Sequence, residues 1–241
     1  MPALYQNRIV AYIDILGFTE LIKQTINEND PEFAARKLNI LYGIVKNIRA
    51  YMSAARNKRH LSGNCAVTMF SDTIIFSQPK TESLGVLAMF DVIKRLQINM
   101  LQKGILLRGG IVYGKLVHND EIILGPALIN AYNVESKSAV YPRIVIDPKV
   151  TWLYIRKDGK PIGQKRIKDF ADDFLFTDDF DGTYYIDYFN EVESYLTALN
   201  LSEYYSTIKN MITKGKKSDD TGIRMKYLWM EKKLKEAIEL D

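Results

Sequence analysis

The chain has 241 residues, of which 47% are hydrophobic and 26% are charged, proportions typical of an ordinary globular protein. Its formal net charge of +4 is too weak to indicate nucleic-acid binding, and its single cysteine excludes an intrachain disulfide and argues against a cysteine-based zinc site. No apolar stretch approaches the ~20 residues that span a bilayer, and Asp14 interrupts the first apolar run. The sequence therefore predicts a cytoplasmic protein with no signal peptide and with neither a membrane nor a nucleic acid as partner.

The N-terminal part of the chain predicts a strand followed by two helices. Residues 8–16 are rich in Ile, Val and Tyr, which indicates a buried strand, and Gly17 turns the chain into a helix with Thr19 as its N-cap. A long helix follows, because apolar residues recur at spacings of three and four and predict a core or dimer-packing face. That stripe comprises Ala34, Leu38, Leu41, Val45, Ile48, Met52 and Ala55.

The rest of the chain continues to interleave strands with helices. Residues 65–77 predict two strands joined at a turn containing Ser71 and Asp72, and residues 156–183 predict a long, acidic, solvated loop. Further strands are predicted at 105–117, 143–147 and 184–189, and further helices at 81–103, 126–138, 149–155, 190–213 and 221–240. This order indicates an α+β fold with helices packed on a sheet, and the absence of repeats and linkers favours one domain over residues 1–241.

Two carboxylates occupy positions that suit metal chemistry. Asp14 lies near the end of the first strand, directly before the Gly17 turn, and Asp72 lies at the tip of the predicted hairpin. If those strands are neighbours, both carboxylates face one site beside a helix N-terminus, whose free N–H groups suit a phosphate. Two hard oxygen ligands beside a phosphate site are what Mg²⁺ or Mn²⁺ phosphoryl chemistry requires.

Four blocks of the sequence, in this order, resemble the motifs of class III nucleotidyl cyclases. They are residues 14–19 (DILGFT), 71–77 (SDTIIFS), 108–114 (RGGIVYG) and 125–136 (GPALINAYNVES). The family's purine-reading Lys or Glu falls on Thr68, and the Asp or Cys that assists it falls on Ile122. The family's transition-state Asn and Arg fall on Ile129 and Asn133.

The residues of these blocks and of segments near them resemble one branch of the family in particular, the pyrimidine cyclases of Pycsar antiphage systems. The shared segments are residues 11–18 (AYIDILGF), 70–73 (FSDT), 107–114 (LRGGIVYG), 141–146 (YPRIVI) and 181–189 (DGTYYIDYF). The resemblance implies a ferredoxin-like class III cyclase fold with a central, mostly antiparallel sheet. The core of the cyclase domain would cover about residues 8–190, and a C-terminal helical extension would cover about residues 191–241.

The resemblance also implies a chemistry and a set of site residues. The enzyme would convert UTP or CTP into the 3′,5′-cyclic monophosphate and pyrophosphate, with UTP preferred, as a second messenger that activates a separate defence effector. Two Mg²⁺ or Mn²⁺ ions would be held by Asp14, Asp72 and the Ile15 carbonyl. The amides around Gly17, Phe18 and Thr19 would bind the triphosphate, Thr68 would read the base, and a two-fold homodimer would share its sites through Asn130, Asn133 and Lys137.

Two alternatives remain open at this stage. The replaced transition-state Arg favours a catalytically idle, cyclase-like regulator that binds a nucleotide, whereas both metal-site aspartates favour an active enzyme. A palm-type polymerase or diguanylate cyclase would use the same kind of two-metal catalysis, but the G-G-[D/E]-E-F signature is absent. For Arg108 and Arg143, holding the sheet edge or pairing with an acidic residue is expected in preference to phosphate contact.

Overall fold

A computed structural model describes residues 4–26, 29–56, 65–81, 83–157, 160–161 and 176–239. The strands are β1 (Gln6–Ile15), β2 (Ala66–Phe70), β3 (Thr73–Pro79), β4 (Leu107–His118), β5 (Ile123–Leu124), β6 (Ile144–Ile146), β7 (Arg156–Lys157), β8 (Lys160–Pro161), β9 (Phe176–Asp178) and β10 (Tyr184–Ile186). The helices are α1 (Phe18–Gln24), α2 (Pro31–Arg56), α3 (Ser83–Leu101), α4 (Pro126–Ser138), α5 (Pro148–Ile155), α6 (Ala198–Gly215) and α7 (Thr221–Glu239), with a 3₁₀ turn at Val192–Ser194.

The main sheet has the strand order β2-β3-β1-β4-β6-β10-β9, and β5 pairs with the end of β4. Strands β1 to β4 pair antiparallel in the order 2-3-1-4, the arrangement that a β-α-β-β-α-β ferredoxin-like unit produces. Within the described strands of this sheet, β4 and β6 pair in parallel and the other pairs are antiparallel. The predicted α+β fold, with a mostly antiparallel sheet and helices packed on it, is therefore confirmed.

The two faces of the sheet carry different helices. Alternate residues of β1 point to opposite faces, so Ile9 and Ile13 join the core beneath α2 and α3, while Val10 faces α4. The α4 side is packed closely, because a Cβ at Gly110 would lie 2.7 Å from the Ala131 carbonyl oxygen. This close approach fixes α4 over the centre of the sheet.

The buried face of α2 differs from the predicted stripe. Ala34, Leu41 and Ile48 are buried as expected, but Leu38 is 54% exposed and Ile44 takes its place in the core. Successive residues of a helix are separated by about 100° around its axis. On this geometry Leu38 lies roughly 80° from the middle of the buried face of α2. Leu38 therefore does not belong to the core of the chain, and the dimer-packing alternative stays a prediction for this residue.

The two C-terminal helices, predicted at 190–213 and 221–240, form with shorter bounds and build a second apolar cluster. Tyr204 of α6 and Trp229 of α7 pack there with Ile98 of α3 and Tyr185 of β10. No helix in the described ranges is both long enough and apolar enough to cross a membrane.

The predicted solvated acidic loop is wrong at Asp179, whereas Asp181 is exposed as expected. Asp179, directly after β9, is buried and accepts hydrogen bonds from Arg143 Nη1 (2.5 Å) and Trp229 Nε1 (2.6 Å), and it pairs with Lys233 (3.3 Å). Asp181 binds the other end of the buried Arg143 guanidinium at 2.6 Å. The expected pairing of Arg143 with an acidic residue is confirmed, whereas Asp169, Asp172 and Asp173 lie outside the described residues.

Candidate active site

Asp14 is held at the end of β1 by pairing on both sides. In the sheet register its neighbours are Thr73 of β3 and Arg108 of β4. It lies on the same face of β1 as Val10 and Tyr12, which is the face that carries α4. Tyr12 hydrogen-bonds the Thr73 hydroxyl at 3.2 Å, which ties β1 to the first residue of β3. The backbone therefore fixes where the Asp14 carboxylate points.

Asp72 approaches Asp14 because the β2–β3 connection is a tight two-residue turn. Phe70 and Thr73 are paired across the hairpin, and Ser71 adopts a positive φ of 53°, which leaves Asp72 beside the end of β1. The Asp72 carboxylate lies close enough for its charge to raise the pKa of Asp14. Two acidic side chains that are 58 positions apart in the sequence thus share one site.

The electrostatics of this pair indicate a site that is short of positive charge. Burial, together with the neighbouring carboxylates of Asp72 and Glu135, raises the pKa of Asp14 to about 7, while the Arg108 guanidinium opposes this shift. Ionisation of Asp14 beside a second carboxylate costs free energy, and a nearby cation lowers that cost. A divalent cation would offset this charge, and carboxylate oxygens are ligands that suit Mg²⁺ or Mn²⁺.

Arg108 and Glu135 form a charged pair behind the carboxylates, and the sequence reasoning left Glu135 without a role. Glu135 is a buried residue of α4 and makes an ion pair with Arg108 Nη2, which also lies 3.9 Å from Asp14 Oδ2. The expected pairing of Arg108 with an acidic residue is confirmed. A signal for Glu135 was present, since it follows Ala127 and Ala131 at spacings of four on the buried face of α4.

The turn after β1 differs in detail from the prediction. Gly17, at φ 75°, is the N-cap of α1, which begins at Phe18, so the assignment of Thr19 as the N-cap was wrong. Glycine adopts this left-handed conformation without strain, which explains why the chain turns here. The Gly17 carbonyl accepts hydrogen bonds from the amides of Glu20 and Leu21, and the Phe18 ring packs partly against the core.

The predicted polar face of α4 is divided in the structure. Asn130 and Asn133 line a cleft of about 280 Å³ with Asp147 and Lys149, beside residues of β4. Lys137 is exposed in the last turn of α4 and does not line this cleft. Neither Asp14 nor Asp72 lines this cleft.

Thr68, the predicted base reader, lies half-buried on β2 and belongs to a hydrogen-bonded chain. Its hydroxyl lies 2.9 Å from His118 Nε2, and His118 Nδ1 lies 2.8 Å from the Ser77 hydroxyl. The Ser77 hydroxyl in turn accepts a hydrogen bond from Arg8 Nε at 2.8 Å. His118, Ser77 and Arg8, the other members of this chain of hydrogen bonds, are buried.

Comparisons with known proteins give structural neighbours only. No protein-family profile matches the chain, and no curated protein matches it. Among solved structures, it is similar to the guanylyl cyclase domain of the RhoGC fusion protein from the aquatic fungus Blastocladiella emersonii, at 18% identity and a TM-score of 0.48 over 77% of this chain and 98% of that one. It is also similar to an adenylate/guanylate cyclase/hydrolase from Silicibacter pomeroyi, at 17% identity and a TM-score of 0.46 over 76% and 96% of the two chains.

A third similar structure is the adenylyl cyclase CyaB from P. aeruginosa, at 18% identity and a TM-score of 0.44 over 78% of this chain and 96% of that one. All three are cyclase structures, but their low identity and low TM-scores leave the function of this chain to its own residues.

Proposed function

We propose that this protein is a nucleotidyl cyclase that converts a pyrimidine nucleoside triphosphate, UTP or CTP, into its 3′,5′-cyclic monophosphate and pyrophosphate. The observation that carries the proposal is the meeting of Asp14 and Asp72 at one end of the sheet, where their proximity helps to raise the pKa of Asp14 to about 7. The order of the four cyclase-like blocks supports the same reaction, because two of those blocks supply these carboxylates.

Asp14, Asp72 and the Ile15 carbonyl would hold two Mg²⁺ or Mn²⁺ ions. Bound there, the metal would make the ribose 3′-hydroxyl easier to deprotonate and would offset the charge of the phosphates. Arg108 keeps a positive charge within 3.9 Å of Asp14, and Glu135 holds that guanidinium in place. Catalysis by such a site depends on positioning and charge stabilisation, with no covalent enzyme intermediate.

The turn at Gly17 would bind the triphosphate. The amides of Gly17, Phe18 and Thr19 precede the first hydrogen-bonded turn of α1, so the helix itself offers them no acceptor. The turn directly follows Ile15, so these amides and the carboxylate pair occupy the same end of β1. Phosphate oxygens are suitable acceptors for such amides.

The face of α4 would complete the site of a second copy in a two-fold homodimer. Asn133 and Asn130 do not line one cleft with the carboxylates of their own chain, and large apolar side chains beside them are exposed. These side chains are Ile129, Tyr132, Ile122 and Leu124, and Ile129 is 63% exposed. A partner copy that covers this surface would bring Asn133 and Lys137 to its phosphates or ribose, and Asn130 to its nucleotide.

The product would act as a second messenger in antiphage defence, by activating a separate effector. This part of the proposal rests on the resemblance of the sequence to Pycsar cyclases, as does the choice of a pyrimidine. Thr68, a small neutral hydroxyl where purine cyclases carry Lys or Glu, leaves room for a pyrimidine edge.

A catalytically idle nucleotide-binding regulator is the second candidate function. Asn133 and Ile129 stand where the cyclase family carries its transition-state Arg and Asn, and neither side chain can supply the missing positive charge. In this case the carboxylate pair would hold a metal–nucleotide complex without turning it over.

Incubation of the full chain with each of the four ribonucleoside triphosphates and Mn²⁺, followed by mass spectrometry, separates the two functions. An active enzyme forms a cyclic pyrimidine nucleotide and pyrophosphate, and Asp72→Asn abolishes that product. The matched control is Asp219→Asn, which makes the same change in charge at a residue that is exposed in the loop between α6 and α7. Nucleotide binding without product in the wild type would favour the regulator, and full turnover by Asp72→Asn would refute the proposed site.

A further inference from the structure

A chain of three hydrogen bonds ends at the hydroxyl of Thr68. It begins at the Arg8 guanidinium on β1, passes through the Ser77 hydroxyl on β3 and the His118 ring at the end of β4, and reaches Thr68 on β2. Four strands of the sheet thus contribute one residue each. Thr68 is half-buried, whereas the other three residues are buried, so it is the member that a ligand can reach.

The direction of these hydrogen bonds follows from the fixed donor at one end. Arginine has N–H donors and no acceptor, so the Ser77 hydroxyl oxygen must accept from Arg8 Nε. Ser77 is fully buried, and the only other side-chain partner of its hydroxyl in the described part of the chain is His118 Nδ1. The Ser77 hydrogen is therefore donated to Nδ1, because otherwise a buried donor would remain unsatisfied.

This direction determines the tautomer of His118. If Nδ1 accepts a hydrogen bond, the neutral ring carries its proton on Nε2. Nε2 then donates to the Thr68 hydroxyl oxygen at 2.9 Å. The opposite tautomer, with the proton on Nδ1, would leave the Ser77 hydrogen without an acceptor in this chain of hydrogen bonds. The imidazolium form, which is protonated on both ring nitrogens, would also leave the Ser77 hydrogen without an acceptor. It would in addition place a second positive charge in the chain of hydrogen bonds that contains Arg8.

The consequence for Thr68 is that its hydroxyl hydrogen points away from His118. With one lone pair of its oxygen occupied by His118, Thr68 presents an O–H donor to whatever lies beside β2. Uracil carries carbonyl acceptors on both sides of its N3–H group, whereas cytosine replaces one of them with an amino donor. Donation from the Thr68 hydroxyl to a uracil carbonyl satisfies both groups, whereas a cytosine amino group at the same place would use the remaining lone pair of the oxygen and leave the hydroxyl hydrogen without an acceptor.

We propose that His118 is a positioning residue which, oriented by Ser77 and Arg8, makes Thr68 a hydrogen-bond donor and so selects uracil over cytosine. The inference rests on the proposed function for the role of Thr68, and it deepens that function by choosing UTP as the substrate. His118 acts through Thr68 and touches neither the substrate nor the metal site.

The first test concerns the tautomer and needs neither substrate nor activity. Long-range ¹H–¹⁵N correlation spectra of the full chain report the protonation of each ring nitrogen, and a His60→Gln variant assigns the signals, because the chain has only two histidines. We expect His118 to carry its proton on Nε2, with Nδ1 unprotonated. Protonation of Nδ1 would overturn the inference, whatever the protein catalyses.

The second test measures selectivity as the ratio of kcat/KM for UTP to that for CTP. We expect a ratio of about ten or more in the wild type, since one mismatched hydrogen-bonding group is worth roughly a factor of ten or more. His118→Phe keeps a ring without the hydrogen-bonding nitrogens and should reduce the ratio to within about threefold of unity. Thr68→Val removes only the hydroxyl and should reduce the ratio equally.

The double variant distinguishes positioning from a general structural role. If His118 acts only through Thr68, adding His118→Phe to Thr68→Val leaves the ratio where Thr68→Val alone puts it. A further fall, or a wild-type ratio near one with active turnover, would overturn the inference while the cyclase proposal stands.

If the wild type turns over no nucleotide, the cyclase proposal fails. Selectivity is then measured as the ratio of the dissociation constants for UTP and CTP, by equilibrium dialysis with Mn²⁺. Tighter binding of UTP that His118→Phe removes supports the inference, and equal binding or no binding of the two nucleotides refutes it.

Discussion

The coupling between the carboxylate pair and divalent cations gives a prediction whose size follows from the structure. The pKa of Asp14 is raised from 3.8 to about 7, chiefly by burial and then by the carboxylate of Asp72. At pH 8 about nine-tenths of the Asp14 carboxyls are ionised, and at pH 6 only about one-tenth are. Because a metal binds the ionised form, the apparent affinity for Mn²⁺ should fall about tenfold between these two pH values.

Isothermal titration of the wild type with Mn²⁺ at pH 6, 7 and 8 measures this change directly. Asp14→Asn should bind Mn²⁺ weakly at every pH and lose the tenfold dependence, whereas Asp219→Asn should behave as the wild type does. A wild-type affinity that stays constant from pH 6 to pH 8 would refute the argument that burial and the nearby Asp72 carboxylate raise the pKa of Asp14.

The same shift has a consequence for the stability of the metal-free protein. The folded state binds the Asp14 proton more tightly than the unfolded state, so this contribution is greatest below pH 3.8 and is lost as the pH rises towards 7. Asp14→Asn should therefore stabilise the metal-free protein at pH 8, by roughly 1 kcal/mol once solvent screening is allowed for, and much less at pH 5. Urea unfolding at both pH values checks the sign, and a destabilised variant at pH 8 would contradict it.

Three further substitutions test the fold and the proposed dimer. Gly110→Ala should cost about 1–3 kcal/mol of unfolding free energy in urea, since its Cβ would lie 2.7 Å from the Ala131 carbonyl oxygen; an unchanged midpoint would show that α4 moves freely. Arg143→Met should cost about 3–5 kcal/mol, because it removes a partner of the buried Asp179 carboxylate, and a loss below about 1 kcal/mol would contradict that reasoning. Ile129→Asp should leave the monomer folded but abolish dimerisation in light scattering, and an unchanged dimer would exclude this face of α4.

The sheet was predictable from local sequence wherever its strands are long. Strands β1, β3 and β4 have seven or more residues with a clear β-prone composition, and the predicted positions agree with the structure. Strands β5 and β9 have two and three residues, which is too short for a periodic pattern, and their pairing depends on distant parts of the chain. Residue patterns therefore predicted the architecture but not these two short strands.

The candidate site was predictable at its acidic residues, because they lie at turns and stand out from the apolar strands beside them. Asp14 and Asp72 are acidic residues at the ends of apolar strands, and the structure brings them together as expected. Asp179 was misread, since its partners Arg143 and Trp229 are 36 and 50 positions away. The role of His118 depends on contacts with two other strands, and no local pattern reports such contacts.

The most direct measurement of the central claim is an anomalous difference map from crystals grown with Mn²⁺ and a UTP analogue that cannot cyclise. We expect manganese peaks between the carboxylates of Asp14 and Asp72, with the triphosphate of the analogue at the Gly17 turn. Well-ordered analogue with no manganese within coordinating distance of either carboxylate would contradict this expectation.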